Sequence, residues 1–199
     1  MKQHEIKGIK MQKIMLHICC GDVYLSPGYT NVDIKGKLTS QVSTEELEKN
    51  KTDIENYFKY PFGAVRREII IDKRIDITTP WDFETESVEE IIAISTIEHF
   101  PLSEARFIMS EMKRVLKHDG RLIIDFPDIK ETVNHYLTPN PDFCMRLLYC
   151  NQKDKYSTHF WGYTKKSFVQ LLDDNWKEII WEPRVKHDYP MISCIAIKK

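Results

Sequence analysis

Residues 13–33 read KIMLHICCGDVYLSPGYTNVD, and the fold is decided there. Ile14, Leu16 and Ile18 make a short apolar run that meets Cys19-Cys20-Gly21-Asp22, the pattern of a buried parallel strand ending in a turn of small residues. A second short strand, Thr30 to Ile34, carries Asp33. In a doubly wound α/β sheet, ligands sit outside the carboxyl ends of the strands, so the turn and the Asp33 carboxylate face one crevice. A small turn lets backbone N–H groups approach a ligand, and an acid ending the second strand can accept both hydroxyls of a ribose. A dinucleotide fingerprint G-x-G-x-x-G has three glycines, whereas this turn has one, and Asp33 follows Gly21 by only 12 positions. Pyrophosphate binding, and with it nicotinamide-dependent oxidoreduction, is therefore disfavoured. The eleven residues from Cys19 to Tyr29 leave room for a helix of one or two turns between the strands.

The rest of the composition bounds the answer. A chain of 199 residues, 42% hydrophobic and 30% charged, is the size of one domain with a well-buried core. Residues 1–12 are polar and read as a flexible leader, leaving 13–199 as a single domain. The 29 basic and 30 acidic residues give a formal charge of −1, so no bulk attraction draws the chain to nucleic acid or an anionic membrane. No apolar run has the length of a membrane span, and the N-terminus lacks a signal-peptide core, so a cytoplasmic location is expected. Five cysteines without C-x-x-C spacing argue for reduced thiols. Cys19 and Cys20 are neighbours whose side chains diverge on an extended chain, and no further ligands stand at metal spacing, so no metal site is expected.

Further along, Ser43-Thr44-Glu45-Glu46 resembles a helix start, with Leu47, Ile54 and Phe58 at helical spacing, which predicts one charged helix over 44–59. Pro61 and Gly63 end it, and Tyr57, Phe58, Tyr60 and Phe62 form an aromatic cluster that suits a core or a lid. Residues 68–77 read as a strand interrupted near Lys73. Val88 to Thr96 is the most strand-like segment. A helix follows from about Ser103, then a tight turn at His118-Asp119-Gly120 and a buried strand from Arg121 to Phe126. Phe143 to Cys150 and Thr164 to Asp174 read as helices, and 179–181 and 193–197 as closing strands.

These segments together resemble the class I S-adenosylmethionine (SAM) dependent methyltransferases. The small members of that family open with L-x-L-G-C-G and a second strand P-G-hydrophobic-x-N-V-D. Leu16-His17-Ile18-Cys19-Cys20-Gly21 and Pro27-Gly28-Tyr29-Thr30-Asn31-Val32-Asp33 follow both patterns, with Cys19 in place of a glycine. A later family pattern, E-H-hydrophobic, then R-V-L-K-P-G-G, then a strand ending in P-D, is matched by three segments. They are Glu98-His99-Phe100, Arg114 to Gly120 with His118 and Asp119 as departures, and Pro127-Asp128. The resemblance implies a doubly wound, mostly parallel Rossmann-like sheet with an antiparallel strand near the C-terminus and helices on both faces.

It also implies SAM as cofactor, held by Cys19, Cys20, Gly21, Asp33, Ile34, Asp76, Ile77, Ser95, Thr96 and Glu98. Asp76 and Ile77 fall where the family contacts adenine, although Asp76 can equally cap its own loop. The aromatic stretch Tyr156 to Tyr163 corresponds to the rim over the acceptor.

Methyl transfer from a sulfonium is an in-line displacement with a good leaving group, so a protein contributes mainly alignment and the exclusion of water. A base is needed only where the acceptor loses a proton. His99 is the imidazole that the resemblance places at the reacting centre, either as that base, with activity rising through an imidazole titration near 6.5, or as a structural neighbour of the cofactor. Asp128, His159 and Tyr163 are candidates for gripping the acceptor. Asp128 also suits a helix cap, and His159 a surface loop. The expected function is methyl transfer to a small molecule, a sugar or other hydroxylated metabolite. The alternative is a catalytically silent SAM-binding subunit of a partner complex. The residues leave the acceptor and the oligomeric state open.

Overall fold

The structure is a computed structural model, and it describes residues 13–59, 67–183 and 187–199. The expected leader at 1–12, and Tyr60, Pro61, Phe62 and Gly63, lie outside the described residues.

The first strand, β1 (Ile14–Ile18), is buried on both faces, with Leu16 and Ile18 toward one apolar cluster and His17 packed edge-on against Tyr57 on the other. That is how an interior parallel strand escapes the alternation of a half-exposed one. Between β1 and β3 (Tyr29–Asp33) the chain forms only a turn and a two-residue strand, β2 (Tyr24–Leu25), so the room for a one- or two-turn helix is taken by extended chain. Asn31 takes over the bracing: its amide oxygen accepts from Leu25 N at 2.8 Å, and its amide nitrogen donates to Leu25 O at 3.0 Å.

After β4 (Lys37–Leu38), α1 (Thr44–Asn50) is capped by Ser43 Oγ accepting from Glu46 N. The single helix expected over 44–59 is two. The break is β5 (Lys51–Thr52), which pairs with β2, and Asp53 restarts α2 (Ile54–Lys59) by accepting from Asn56 N at 2.8 Å. The interrupted strand is likewise two pieces. β6 (Ile70–Ile71) pairs with β4, and β7 (Lys73–Arg74) joins β3. The break falls at Asp72, whose carboxylate is drawn to Asn31 N and Nδ2 and to the Tyr24 hydroxyl.

The next unit follows the expected pattern: β8 (Val88–Ile94), then α3 (Leu102–Val115), then β9 (Leu116–Pro127). The turn at 118–120 is a bulge inside β9, where the pairing jumps from Val88↔Leu116 to Glu90↔Arg121. Beyond it come α4 (Ile129–Tyr136), which the sequence reading missed, α5 (Pro141–Tyr149), α6 (Lys165–Leu172), β10 (Trp176–Ile180) and β11 (Met191–Lys198).

The main sheet has seven strands in the order β10-β11-β9-β8-β1-β3-β7, with β11 antiparallel to both its neighbours and the other pairings parallel. On one face α3 and α6 bury Ile108, Met112, Val115, Phe168 and Leu172 against Leu16, Ile91 and Ile124. On the other, Tyr57 of α2 packs with Ile92, Ile94 and Ile123. Because the chain leaves β1 for β3 on one side and reaches β8 on the other, the topological switch lies at the carboxyl end of β1. Among the described residues no helix is long and apolar enough to cross a membrane.

Candidate active site

Two strand ends shape the crevice. Cys19, just past β1, has φ +48°, and Ser95, just past β8, has φ +46°. A left-handed conformation costs an L-residue roughly 1–2 kcal/mol, so each must be held by its surroundings. Ser95 is held by Asp125, fully buried in β9, whose Oδ1 accepts from Ser95 N at 2.9 Å. At Cys19 a glycine would stand in the same conformation without strain, which gives the family's glycine a backbone reason. The Cys19 thiol is pushed up by burial first and then by the carboxylates of Asp33, Glu98 and Asp76, so it stays a neutral, unreactive thiol. Cys20 is likewise raised by burial.

Gly21 has φ +54°, and a side chain there would meet nothing within 4 Å, so its free space is that of the crevice itself. Its N–H donates to Asp33 Oδ2 at 3.1 Å, and Lys35 N donates to Oδ1 at 3.0 Å. The carboxylate is thus fixed by two backbone donors, and each oxygen retains acceptor capacity for a ribose hydroxyl.

The crevice is a cavity of about 630 Å³, within the ordinary range for small-molecule sites. Cys19, Gly21, Asp33, Ile34, Asp76, Ile77, Ser95, Thr96 and His99 line it, so it gathers most of the expected cofactor residues. Ile34, Ile75 and Ile77 supply apolar walls for a purine. Asp76 also caps its loop, Oδ1 accepting from Thr78 N at 3.0 Å and from Thr78 Oγ1 at 2.6 Å, so both readings of this residue meet in one place. SAM fits this cradle. Asp33 would hold the ribose, the isoleucines the adenine, and the turns at Cys19–Gly21 and Ser95–Thr96 the methionine portion.

The acceptor end is built by a segment far away in sequence. The turn 97–99 is crossed by residues 155–161, where Phe160 N (2.8 Å) and Trp161 N (3.3 Å) both donate to Glu98 O. His99 Nδ1 lies 3.1 Å from Thr158 O, and His159 Nδ1 lies 3.0 Å from Leu147 O. A carbonyl can only accept, so both imidazoles carry the proton on Nδ1 and a lone pair on Nε2. The rings meet edge to face, with centroids 4.8 Å apart. Burial first, then His159, lowers His99 to about 4, well below the titration near 6.5 expected of it, so at neutral pH the lone pair is present. Glu98 is 2% exposed, neither carboxylate oxygen has a hydrogen-bond partner, and burial holds the carboxyl well above the usual range.

Other expected residues sit elsewhere. Cys20 is buried, with Sγ 3.9 Å from Ile70 O. Asp128 caps α4, accepting from Glu131 N at 3.2 Å. Tyr163 is in the core against Phe126 and Phe168, and its hydroxyl has no partner. Conversely, the cavity is also lined by Lys35, Tyr156 and Phe160. Lys35 Nζ stands 3.8 Å above the Tyr156 ring and 3.4 Å from Asp154, drawing the rim together. The aromatic density of 156–163 pointed to Tyr156 and Phe160, whereas nothing in the sequence singled out Lys35.

Comparison with known proteins agrees with this geometry. A family model described as "Methyltransferase domain" matches residues 29–124, just under half of the chain. No curated protein matches. Among solved structures, a SAM-dependent methyltransferase from Methanosarcina mazei aligns at 15% identity over 95% of this chain and 92% of its own, with a TM-score of 0.51. A Pyrococcus horikoshii protein aligns at 18% identity over 96% and 85%, with a TM-score of 0.52. A Haloferax volcanii complex containing the Trm112 methyltransferase activator aligns at 8% over 96% and 83%, with a TM-score of 0.53. At such identities the likeness is one of fold. Residues 29–124 thus resemble a methyltransferase domain, and the fold over nearly the whole chain is similar to that of a solved SAM-dependent methyltransferase.

Proposed function

We propose that this chain transfers a methyl group from SAM to a small-molecule acceptor, a sugar or other hydroxylated metabolite. The observation that carries the reading is the cavity at the switch point, with the fixed Asp33 carboxylate at one end and the Nε2 lone pair of His99 at the other. Phe160 and Tyr156 stand at the rim, where a bound acceptor would pack against them and displace water, as an in-line displacement at a sulfonium requires. His99 acts at the transfer step through that lone pair, which can take a proton or hold a cation. The free thiols of all five cysteines fit a reducing, cytoplasmic compartment. The near-zero net charge fits a small acceptor better than nucleic acid.

The test is release of S-adenosylhomocysteine by the isolated chain across a panel of hydroxylated acceptors. Turnover above the acceptor-free rate supports methyl transfer. Tight SAM binding without turnover on any acceptor favours the second reading, a silent SAM-binding subunit of a partner complex.

A further inference from the structure

Three groups at the acceptor end share an arrangement that the reaction alone does not explain. Glu98, His99 and His159 place one ligand atom each within 4.8 Å of one another. The Glu98 carboxylate is almost wholly buried and has no hydrogen-bond partner on either oxygen. A buried polar group without a partner is rare enough to require a cause, and a bound ion is one of the recognised ones. Both imidazoles donate Nδ1–H to a backbone carbonyl, Thr158 O and Leu147 O. This is how metal-ligating histidines are oriented, with the other ring nitrogen aimed at the ion.

We propose that Glu98, His99 and His159 form a site for a divalent first-row transition ion of the zinc or cobalt class, with an open coordination position toward the cavity that takes the acceptor's hydroxyl oxygen. This rests on the methyltransferase reading only for the role of the ion, not for its binding. Two imidazoles and one carboxylate suit zinc, cobalt or iron, whereas magnesium and calcium prefer oxygen ligands alone. Tetrahedral bonds of about 2.0–2.2 Å set ligand atoms about 3.3–3.6 Å apart, so atoms up to 4.8 Å apart must close by somewhat more than about 1 Å, a movement shared among the three side chains. Glu98 and His99 are neighbours in one turn, and the clamp of Phe160 N and Trp161 N on Glu98 O brings His159 to face them. His99 lines the cavity, which sets the open position there. An ion in this place would lower the pKa of a bound hydroxyl. The hydroxyl proton leaves to water, the oxygen lone pair forms the C–O bond, and the C–S pair returns to sulfur, giving the methyl ether and S-adenosylhomocysteine.

The experiment uses the full chain freed of metal by chelator and titrated with cobalt(II), followed by its visible absorption, with no SAM or acceptor present. One equivalent should bind and magnesium should not compete. Glu98→Gln and His159→Asn should each weaken binding by at least about 10–100-fold, the loss that follows even from removing a partner of a ligand. His118→Asn, at an exposed histidine, should bind as the parent does. Glu98→Gln relieves a buried carboxyl and should melt no lower than the parent, which separates loss of a ligand from loss of the fold. Cobalt that fails to bind, or that binds both variants as it binds the parent, overturns the site. Where an acceptor is found, turnover unchanged by chelator while cobalt binding is real overturns the role assigned to the ion. Cobalt bound without methyl transfer to any acceptor leaves the site standing and counts against the methyltransferase reading instead.

Discussion

At the end of β1 the polar groups around Asp33 are already partnered, Gly21 N and Lys35 N each donating to one carboxylate oxygen. At the other end the buried Glu98 carboxylate, the Ser95 hydroxyl and the Tyr163 hydroxyl have no hydrogen-bond partner among the described residues. The first region is assembled from residues close in sequence and is rigid before any ligand arrives. The second is a junction between the turn at 97–99 and the distant 155–161 segment, and its unsatisfied groups are ready for something that the polypeptide does not supply. Preorganisation on one side and unspent valence on the other is what binding one constant cofactor and one variable acceptor requires.

The largest effect should come from the unsatisfied side. His99→Asn should lower turnover by about 10²–10⁴ and leave SAM affinity nearly unchanged, checked by calorimetry beside steady-state rates. Weaker SAM binding with turnover at saturation intact would move His99 to the cofactor side and erase the contrast.

Two histidines lowered to about 4 sharpen it. His17, 1% exposed and bonded to Asn31 Oδ1 at 3.1 Å, is a structural group, lowered chiefly by burial. Its folded value lies below its unfolded 6.5, so the unfolded chain binds the extra proton. Stability is therefore unaffected above pH 6.5 and falls between 6.5 and 4, by about 3 kcal/mol at the lower end. His17→Gln should flatten that part of the stability curve, measured by urea unfolding across pH. An unchanged slope would assign acid sensitivity to other groups.

On the cofactor side, Asp33→Ala should weaken SAM at least about tenfold, since charge-assisted hydrogen bonds are worth roughly 1.5–3 kcal/mol each. An unchanged dissociation constant would place the ribose elsewhere. The smallest effect is expected at Cys19→Gly. Relief of the φ +48° strain is offset by the greater freedom of glycine in the unfolded chain, so unfolding should shift by less than about 1 kcal/mol, with SAM affinity kept or improved. A large loss of affinity would reveal a contact made by the thiol.

The same contrast governs what the sequence made legible. β1, β3 and the β8–α3–β9 unit follow local patterns: a buried apolar run, a strand ending in Asp33, and a helix with one apolar face. Gly21 and Asp33 follow from the ends of β1 and β3, and both line the cavity. The misread parts depend on distant partners. Lys51–Thr52 interrupts a helix only because it pairs with Tyr24–Leu25, and Asp72 breaks a strand only because Asn31 and Tyr24 draw its carboxylate away. No local pattern announces either. At Asp119, where φ is +59°, the local turn signal marks a bulge inside β9 rather than the boundary before a strand. On the acceptor side, Asp128 was legible as a helix cap although α4 itself, with its short apolar pattern, was not. That His159 faces His99 depends on two hydrogen bonds to Glu98 O from a segment distant in sequence.

The central claim is that the cavity at the end of β1 is a SAM site rather than a dinucleotide site, and titration calorimetry of the isolated chain with SAM, S-adenosylhomocysteine and NAD tests it most directly. The account predicts one equivalent of SAM or S-adenosylhomocysteine bound, weakened by Asp33→Ala, and no measurable heat with NAD. Tighter binding of NAD than of SAM would contradict it.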